Sequence, residues 1–157
     1  MKILIISDSH GNLANLKHVL GFAKNTKIEG VIHCGDWNNI ASVETVLSYG
    51  IPLYTVLGNA DIDPKVGETL KLKSKMFSND FLKIKLGGKN IGIVHKPSDI
   101  KKYFLADSVD IVFCGHLHSK DESAVGGIRI VRAGALENTI NFAIYNTETE
   151  NIEFIND

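Results

Sequence analysis

Five apolar runs in this sequence each end in polar residues able to bind a divalent metal. Ile3-Leu4-Ile5-Ile6 leads to Asp8 and His10, and Val31-Ile32-His33-Cys34 leads to Asp36. Tyr54-Thr55-Val56-Leu57 leads to Asn59 and Asp61, and Ile91-Gly92-Ile93-Val94 leads to His95. Ile111-Val112-Phe113-Cys114 leads to His116 and His118. Short continuous apolar runs suit strands buried on both faces, which present functional groups at their carboxyl ends. Five neighbouring strand ends would bring Asp8, His10, Asp36, Asn59, His95, His116 and His118 to one crevice. That set predicts a dinuclear metal centre.

Catalytic pairs of cations lie about 3.5–4 Å apart and need a bridging anion to offset their repulsion. A carboxylate suits this, because each oxygen can bind a different metal. Asp36, at the end of a central strand, is the expected bridge. Asp8 and His10 alternate along one segment, so an extended backbone would point both side chains the same way, and His116 and His118 repeat that spacing. Asn59 offers an amide oxygen and a spare NH₂. Oxygen and nitrogen ligands without thiolate suit Mn²⁺, Fe²⁺, Co²⁺, Ni²⁺ or Zn²⁺ better than Ca²⁺. Two such cations make a hydroxide available near neutral pH.

Several elements must position these groups. Asn12 can cap a helix through about Lys24, with Leu13, Leu16, Val19, Leu20 and Ala23 as its apolar stripe. A second helix near Asn39 to Tyr49 follows the strand Val31 to Cys34, and Gly50-Ile51-Pro52 ends it before the strand Leu53 to Leu57. This β-α-β-α-β order predicts parallel strands with right-handed crossovers. Phe81 to Leu86 alternates apolar and basic residues, Gly87-Gly88-Lys89-Asn90 turns, and Ile91 to Val94 returns as an antiparallel hairpin. Ser98 can cap a helix over about Asp99 to Leu105, ahead of a buried strand from Asp110 to Cys114. Strands at Ile128 to Arg132, Asn141 to Tyr145 and Asn151 to Ile155 suggest a second, mainly antiparallel region. The fold class is α/β, with two packed sheets and helices outside, in a single domain over residues 1–157.

Composition limits the alternatives. With 157 residues, 44% hydrophobic and 22% charged, the chain can bury a substantial core. A formal net charge of -1 gives no general nucleic-acid or membrane surface. No apolar stretch approaches the roughly 20 residues of a spanning helix, and the first hydrophobic run meets Asp8 too soon for a signal peptide. The expected location is the cytoplasm. Cys34 and Cys114 then read as two buried, reduced thiols.

Asp-x-His, Gly-Asp, Gly-Asn, His and Gly-His-x-His, in this order from Met1 to about Asn138, resemble the calcineurin-like metallophosphoesterases, and the compact length resembles their small bacterial and archaeal phosphodiesterase branch. The resemblance implies a four-layer α/β/β/α sandwich of two mixed sheets. It places Asp8, His10, Asp36 and His118 on one metal, and Asp36, Asn59, His95 and His116 on the other. Mn²⁺ is a common activator in this family. A metal-bridging hydroxide would attack phosphorus in line with the departing alcohol, with Asp36, Asn59, Asp61 and His95 as the catalytic set. Asp61 would orient a metal-binding histidine. The implied partner is a small phosphoester, more a diester than a monoester, with neither nucleic acid nor membrane; a homo-oligomer is compatible.

The chain departs from the family pattern at three places. Gly58-Asn59-Ala60-Asp61 has alanine where many members carry a histidine that contacts phosphate and protonates the leaving group. Loss of a general acid typically costs about 10²–10⁴-fold. His95-Lys96-Pro97 replaces the usual His-Gly, and Lys96 could crowd a substrate or bind its phosphate. Arg132-Ala133-Gly134-Ala135 replaces an Asn-Pro-Gly-Ser-like turn.

Each signal has a blander counterpart. His33 suits a packed core residue and His18 a surface one. Asp8 alone would suit a helix start, and each Gly-Asp or Gly-Asn alone a turn. Lys71, Lys73, Lys75, Lys83 and Lys85 suit a solvated strand face better than a nucleic-acid site. Trp37 suits either a pocket wall or a rim contact. Two other classes compete with a hydrolase. A eukaryotic retromer subunit uses this fold as an assembly scaffold with part of the ligand set lost, whereas all seven ligand types are present here. A nuclease would add strong salt dependence of binding.

Overall fold

The computed structural model describes residues 1–104 and 108–156. Strand β1 (Lys2–Ile6) leads into helix α1 (Leu13–Asn25), and β2 (Gly30–His33) into α2 (Ile40–Ser48). Asn12 and Asn39 cap these helices, their side chains accepting from the backbone N–H of Asn15 and Ser42. Strand β3 (Leu53–Val56), helix α3 (Pro64–Lys73) and β4 (Met76–Ser78) continue one parallel set. A hairpin of β5 (Phe81–Leu86) and β6 (Lys89–Val94) precedes a short 3-10 turn, helix α4 (Ile100–Tyr103) and β7 (Ile111–Cys114). Strands β8 (Lys120–Val125), β9 (Ile128–Ala133), β10 (Asn141–Asn146) and β11 (Ile152–Asn156) follow.

The strands form two mixed sheets, ordered β11-β10-β1-β2-β3-β4 and β5-β6-β7-β9-β8. Alternation along β1 shows how they stack. Leu4 and Ile6 face the layer with Leu16, Val19 and Val43 of the helices, while Ile3 and Ile5 face Ile91, Ile93 and Phe113 of the other sheet. Every residue from Ile3 to Ile6 is fully buried, so the run is apolar throughout rather than alternating. Beyond the second sheet, Val112 and Cys114 pack under Ile100 and Phe104. The layers are α/β/β/α, as the sequence predicts.

Four expectations change. The last three strands do not form one antiparallel region. β9 pairs parallel with β7, whereas β10 crosses to the first sheet and pairs antiparallel with β1. Lys71 and Lys73 lie in the last turn of α3 rather than on a strand, where basic groups favour the helix carboxyl terminus. Asp63 caps that helix and Pro64 opens it, a start signal that the lysine alternation obscures. The helix expected from Asp99 to Leu105 begins as a 3-10 turn at Pro97 with no side-chain cap from Ser98; Leu105 lies outside the described residues. Strand β8 has an exposed, mostly polar sequence and no apolar alternation to reveal it.

Among the described residues, no helix is long and apolar enough to cross a membrane. Cys34 lies between the sheets, whereas Cys114 lies under α4; both thiols are free and fully buried. Burial pushes the Cys114 thiol up to about 12 and also raises that of Cys34 well above its ordinary range. Neither thiol should react with an aromatic disulfide reagent in the native protein, and both should react once denaturant unfolds the chain, as absorbance of the released thiolate will show.

Candidate metal centre

The seven expected ligands come from both sheets. β1, β2 and β3 of the first sheet bring Asp8, His10, Asp36 and Asn59; β6 and β7 of the second bring His95, His116 and His118. The chain ladder continues beyond the strand ends: Asp8 N–H donates to the Gly35 carbonyl and His10 N–H to the Asp36 carbonyl, both at 3.0 Å. Across the sheets, His116 N–H donates to both Asp8 carboxylate oxygens at 3.1–3.2 Å. Glycines permit these approaches. A Cβ on Gly58 would collide with the Asp36 carboxylate, and one on Gly115 with the Ser7 hydroxyl.

Extended geometry does not aim the ligands. Asp8, His10, Asp36, His116 and His118 all have positive φ, between 41° and 71°. Left-handed backbone at non-glycine residues costs on the order of 1 kcal/mol each and concentrates at functional sites. Asp-x-His and His-x-His therefore converge through strained turns, not through strand alternation.

Asp36 is central. Its Oδ2 lies 3.3 Å from His10 Nε2 and 3.3 Å from His95 Nε2, and its Oδ1 accepts the Ala60 N–H at 2.8 Å. A single oxygen thus faces both sides, where one oxygen per metal was expected. Asp8 Oδ1 lies 3.5 Å from His118 Nε2. The imidazoles form two pairs: His10 with His118 at 5.3 Å between centroids, and His95 with His116 at 5.2 Å. Asp8, His10 and His118 offer ligand atoms within 4.8 Å of one another, as do Asp8, Asp36 and His95.

These groups fit divalent cations. Metal–ligand bonds of about 2.0–2.2 Å put neighbouring ligand atoms roughly 3.0–3.5 Å apart, the separations seen around Asp36 and Asp8. His95 Nδ1 sits 2.8 Å from the Cys34 carbonyl, which only accepts, so Nδ1 carries hydrogen. Its Nε2 then faces two further oxygens, Asn59 Oδ1 at 3.0 Å and Asp36 Oδ2. Lone pairs gathered this way require a cation or a second proton. His10 Nε2 is buried without a hydrogen bond, an unmet polar atom at the same place.

The electrostatics agree. Burial raises the Asp8 carboxyl above its usual range, and neighbouring Asp36 adds to the rise. Burial would raise Asp36 too, but hydrogen bonds from His95 and Ala60 and two nearby imidazoles hold it at about 2. Burial disfavours charged His95, yet its bond to Asp36 raises it overall. For His116, burial and the charges of His95 and Lys96 act downward.

Asp61 does something other than orient a histidine. It accepts four backbone N–H groups at 2.7–3.0 Å, from Asp36, Trp37, Asn38 and Gly58, and fixes the strained loop that carries Asp36. Glu137 was not anticipated; its Oε2 lies 3.6 Å from His118 Nδ1, and no spacing in its segment advertises this. His33 is a core residue, stacked on Trp37 at 3.6 Å, and Trp37 is fully buried with Nε1 donating to Thr55 rather than lining a pocket. His18 is exposed on α1. A cleft of about 200 Å³ opens beside the second imidazole pair, lined among others by Asn59, His95, Lys96, Asn79, Asp80 and Tyr103.

A family model described as the calcineurin-like phosphoesterase superfamily domain matches residues 1–150. The chain belongs to that family. It is 25% identical over 138 residues to a phosphodiesterase of Methanocaldococcus jannaschii, spanning 85% of this chain and 83% of that one. A solved archaeal phosphodiesterase superposes with a TM-score of 0.87 at 24% identity over the whole of both chains. Zinc-bound Vps29 from Entamoeba histolytica shares the fold too, with a TM-score of 0.67, 17% identity and 99% of each chain covered.

Two substitutions test the surroundings of the calcineurin-like centre. Asp61→Ala strips four N–H groups of a charged acceptor. It should destabilise the fold by on the order of 3 kcal/mol in denaturant melts and lower retained metal in elemental analysis. Burial depresses His33 from 6.5 to about 3, and Gly35 N–H donates to its Nδ1, so the folded ring stays neutral. The unfolded chain takes up the proton that the folded ring refuses. The resulting stability is full above about pH 6.5 and falls toward pH 3, by about 2–3 kcal/mol at about pH 4.5. His33→Gln should flatten that acid limb when melts are repeated across pH.

Proposed function

We propose that this chain is a divalent-metal-dependent phosphodiesterase that hydrolyses small phosphoesters in the cytoplasm. The observation that carries the proposal is Asp36 Oδ2, equidistant at 3.3 Å from an imidazole of each pair. On this reading Asp8, His10, Asp36 and His118 hold one cation, and Asp36, Asn59, His95 and His116 hold the other. Bound as a pair, divalent cations supply a nucleophilic water near neutral pH and neutralise charge on the phosphoryl group. Mn²⁺ is the cation proposed, and Ni²⁺, Zn²⁺, Fe²⁺ or Co²⁺ suit the same donors.

The chain's own residues do the rest. Asp61 fixes the Asp36 backbone through its N–H and the Ala60 N–H holds the Asp36 carboxylate, so its oxygen does not reorganise as substrate charge develops. The Cys34 carbonyl fixes the His95 ring. Asn59 keeps its carbonyl toward His95, leaving the NH₂ as a donor toward a phosphoryl oxygen. Ala60 supplies no proton, so esters with acidic alcohols should turn over best.

Ala60 and the shared fold of Vps29 also favour a second role, as a binding scaffold with weak or no catalysis. Metal-stripped protein restored with each cation, and assayed with bis(p-nitrophenyl) phosphate and p-nitrophenyl phosphate, separates the two. The enzyme reading expects metal-dependent turnover, faster on the diester, and a loss of about 10²-fold or more in kcat/KM for Asp36→Asn with the fold retained by circular dichroism. Retention of turnover by that variant, or no stimulation by any cation, would refute it.

A further inference from the structure

We propose that Lys96 grips a non-bridging oxygen of the substrate phosphate, supplying beside the metal centre the positive contact that Ala60 cannot. This rests on the phosphodiesterase reading above and assigns one residue of its substrate site. Lys96 directly follows His95, is half-buried, and lines the same cleft as Asn59 and His95. Among the described residues its ammonium has no ion pair or hydrogen bond, although Asp80 and Asp99 line that cleft as well.

A partly desolvated cation without a carboxylate is costly, and next to a pair of dications it is costlier. An anion held between them removes both penalties. Asp80, Asp99 and Tyr103 line the same cleft. The two carboxylates disfavour a second anionic group there, so the anionic oxygens belong at Lys96 and the remaining arm of the ester is uncharged. The role is that of a point charge on a flexible stem, not of a proton donor.

Lys96→Met and Lys96→Arg, loaded with Mn²⁺ beside the parent, test this through metal content, inorganic phosphate binding by calorimetry, and kcat and KM for bis(p-nitrophenyl) phosphate. Lys96→Met should keep the parent's metal content, weaken phosphate binding and raise KM by about tenfold or more, and change kcat by less than about threefold. Lys96→Arg should restore most of the loss. Unchanged phosphate affinity and KM in fully loaded Lys96→Met would overturn the proposal. Loss of metal in that variant would overturn it too, because the lysine would then be supporting His95. If the parent binds phosphate and Lys96→Met does not, but neither hydrolyses any ester, the phosphate contact stands and the phosphodiesterase assignment falls.

Discussion

Two carboxylates, Asp8 and Asp36, are held almost without solvent where two sheets meet, and the architecture is organised around that confinement. Buried like charges are unfavourable unless matched by cations or protons. The opposite shifts of the pair, Asp8 upward and Asp36 down to about 2, express that conflict within one cluster. Four imidazoles stand around the two acids, and strained turns keep them there. A fold that merely wanted stability would relax those turns and separate the acids. Their persistence is understandable when a stronger interaction, metal coordination, is bound to the same groups.

The two-sheet arrangement makes such a cluster affordable in physical terms. Each sheet is covered on its outer face by helices and meets its partner through aliphatic side chains and Phe113. The rigid part of the molecule therefore ends just where the ligands begin. Loops follow, but they are pinned by the continued ladder between 8–11 and 35–37 and by the Asp61 carboxylate. Precision in the site comes from backbone hydrogen bonds to fixed acceptors more than from side-chain packing.

Much of this was legible in the sequence for a simple reason. Parallel strands covered on both faces must be continuous apolar runs, so β1, β2, β3, β6 and β7 announce themselves, and the polar residues at their ends are conspicuous. Asn12 and Asn39 mark helix starts by their capping chemistry. What was hidden depends on long-range partners. β8 is an edge strand with little to bury, so its sequence carries no periodicity. The crossing of β10 to the first sheet is set by its pairing with β1, which no local pattern encodes. Asp61 and Glu137 act through geometry: one by collecting N–H groups from two loops, the other by proximity to His118. Even where the gathering of the polar strand-end side chains was foreseeable, the cause of their convergence was not, because left-handed backbone at Asp8 or His116 leaves no compositional trace.

The Leu136 N–H reaches back to the carbonyls of Ser7 and Asp8, at 3.2 Å each, and the Asn12 and Asn15 side chains donate to the Glu137 and Leu136 carbonyls. The loop that carries Asp8 is thus fastened by a segment more than 120 residues further along the chain. Contacts of such separation must overcome a large loop-closure entropy before they reward the chain, so this corner of the molecule is set by its slowest-forming pairings rather than by local structure.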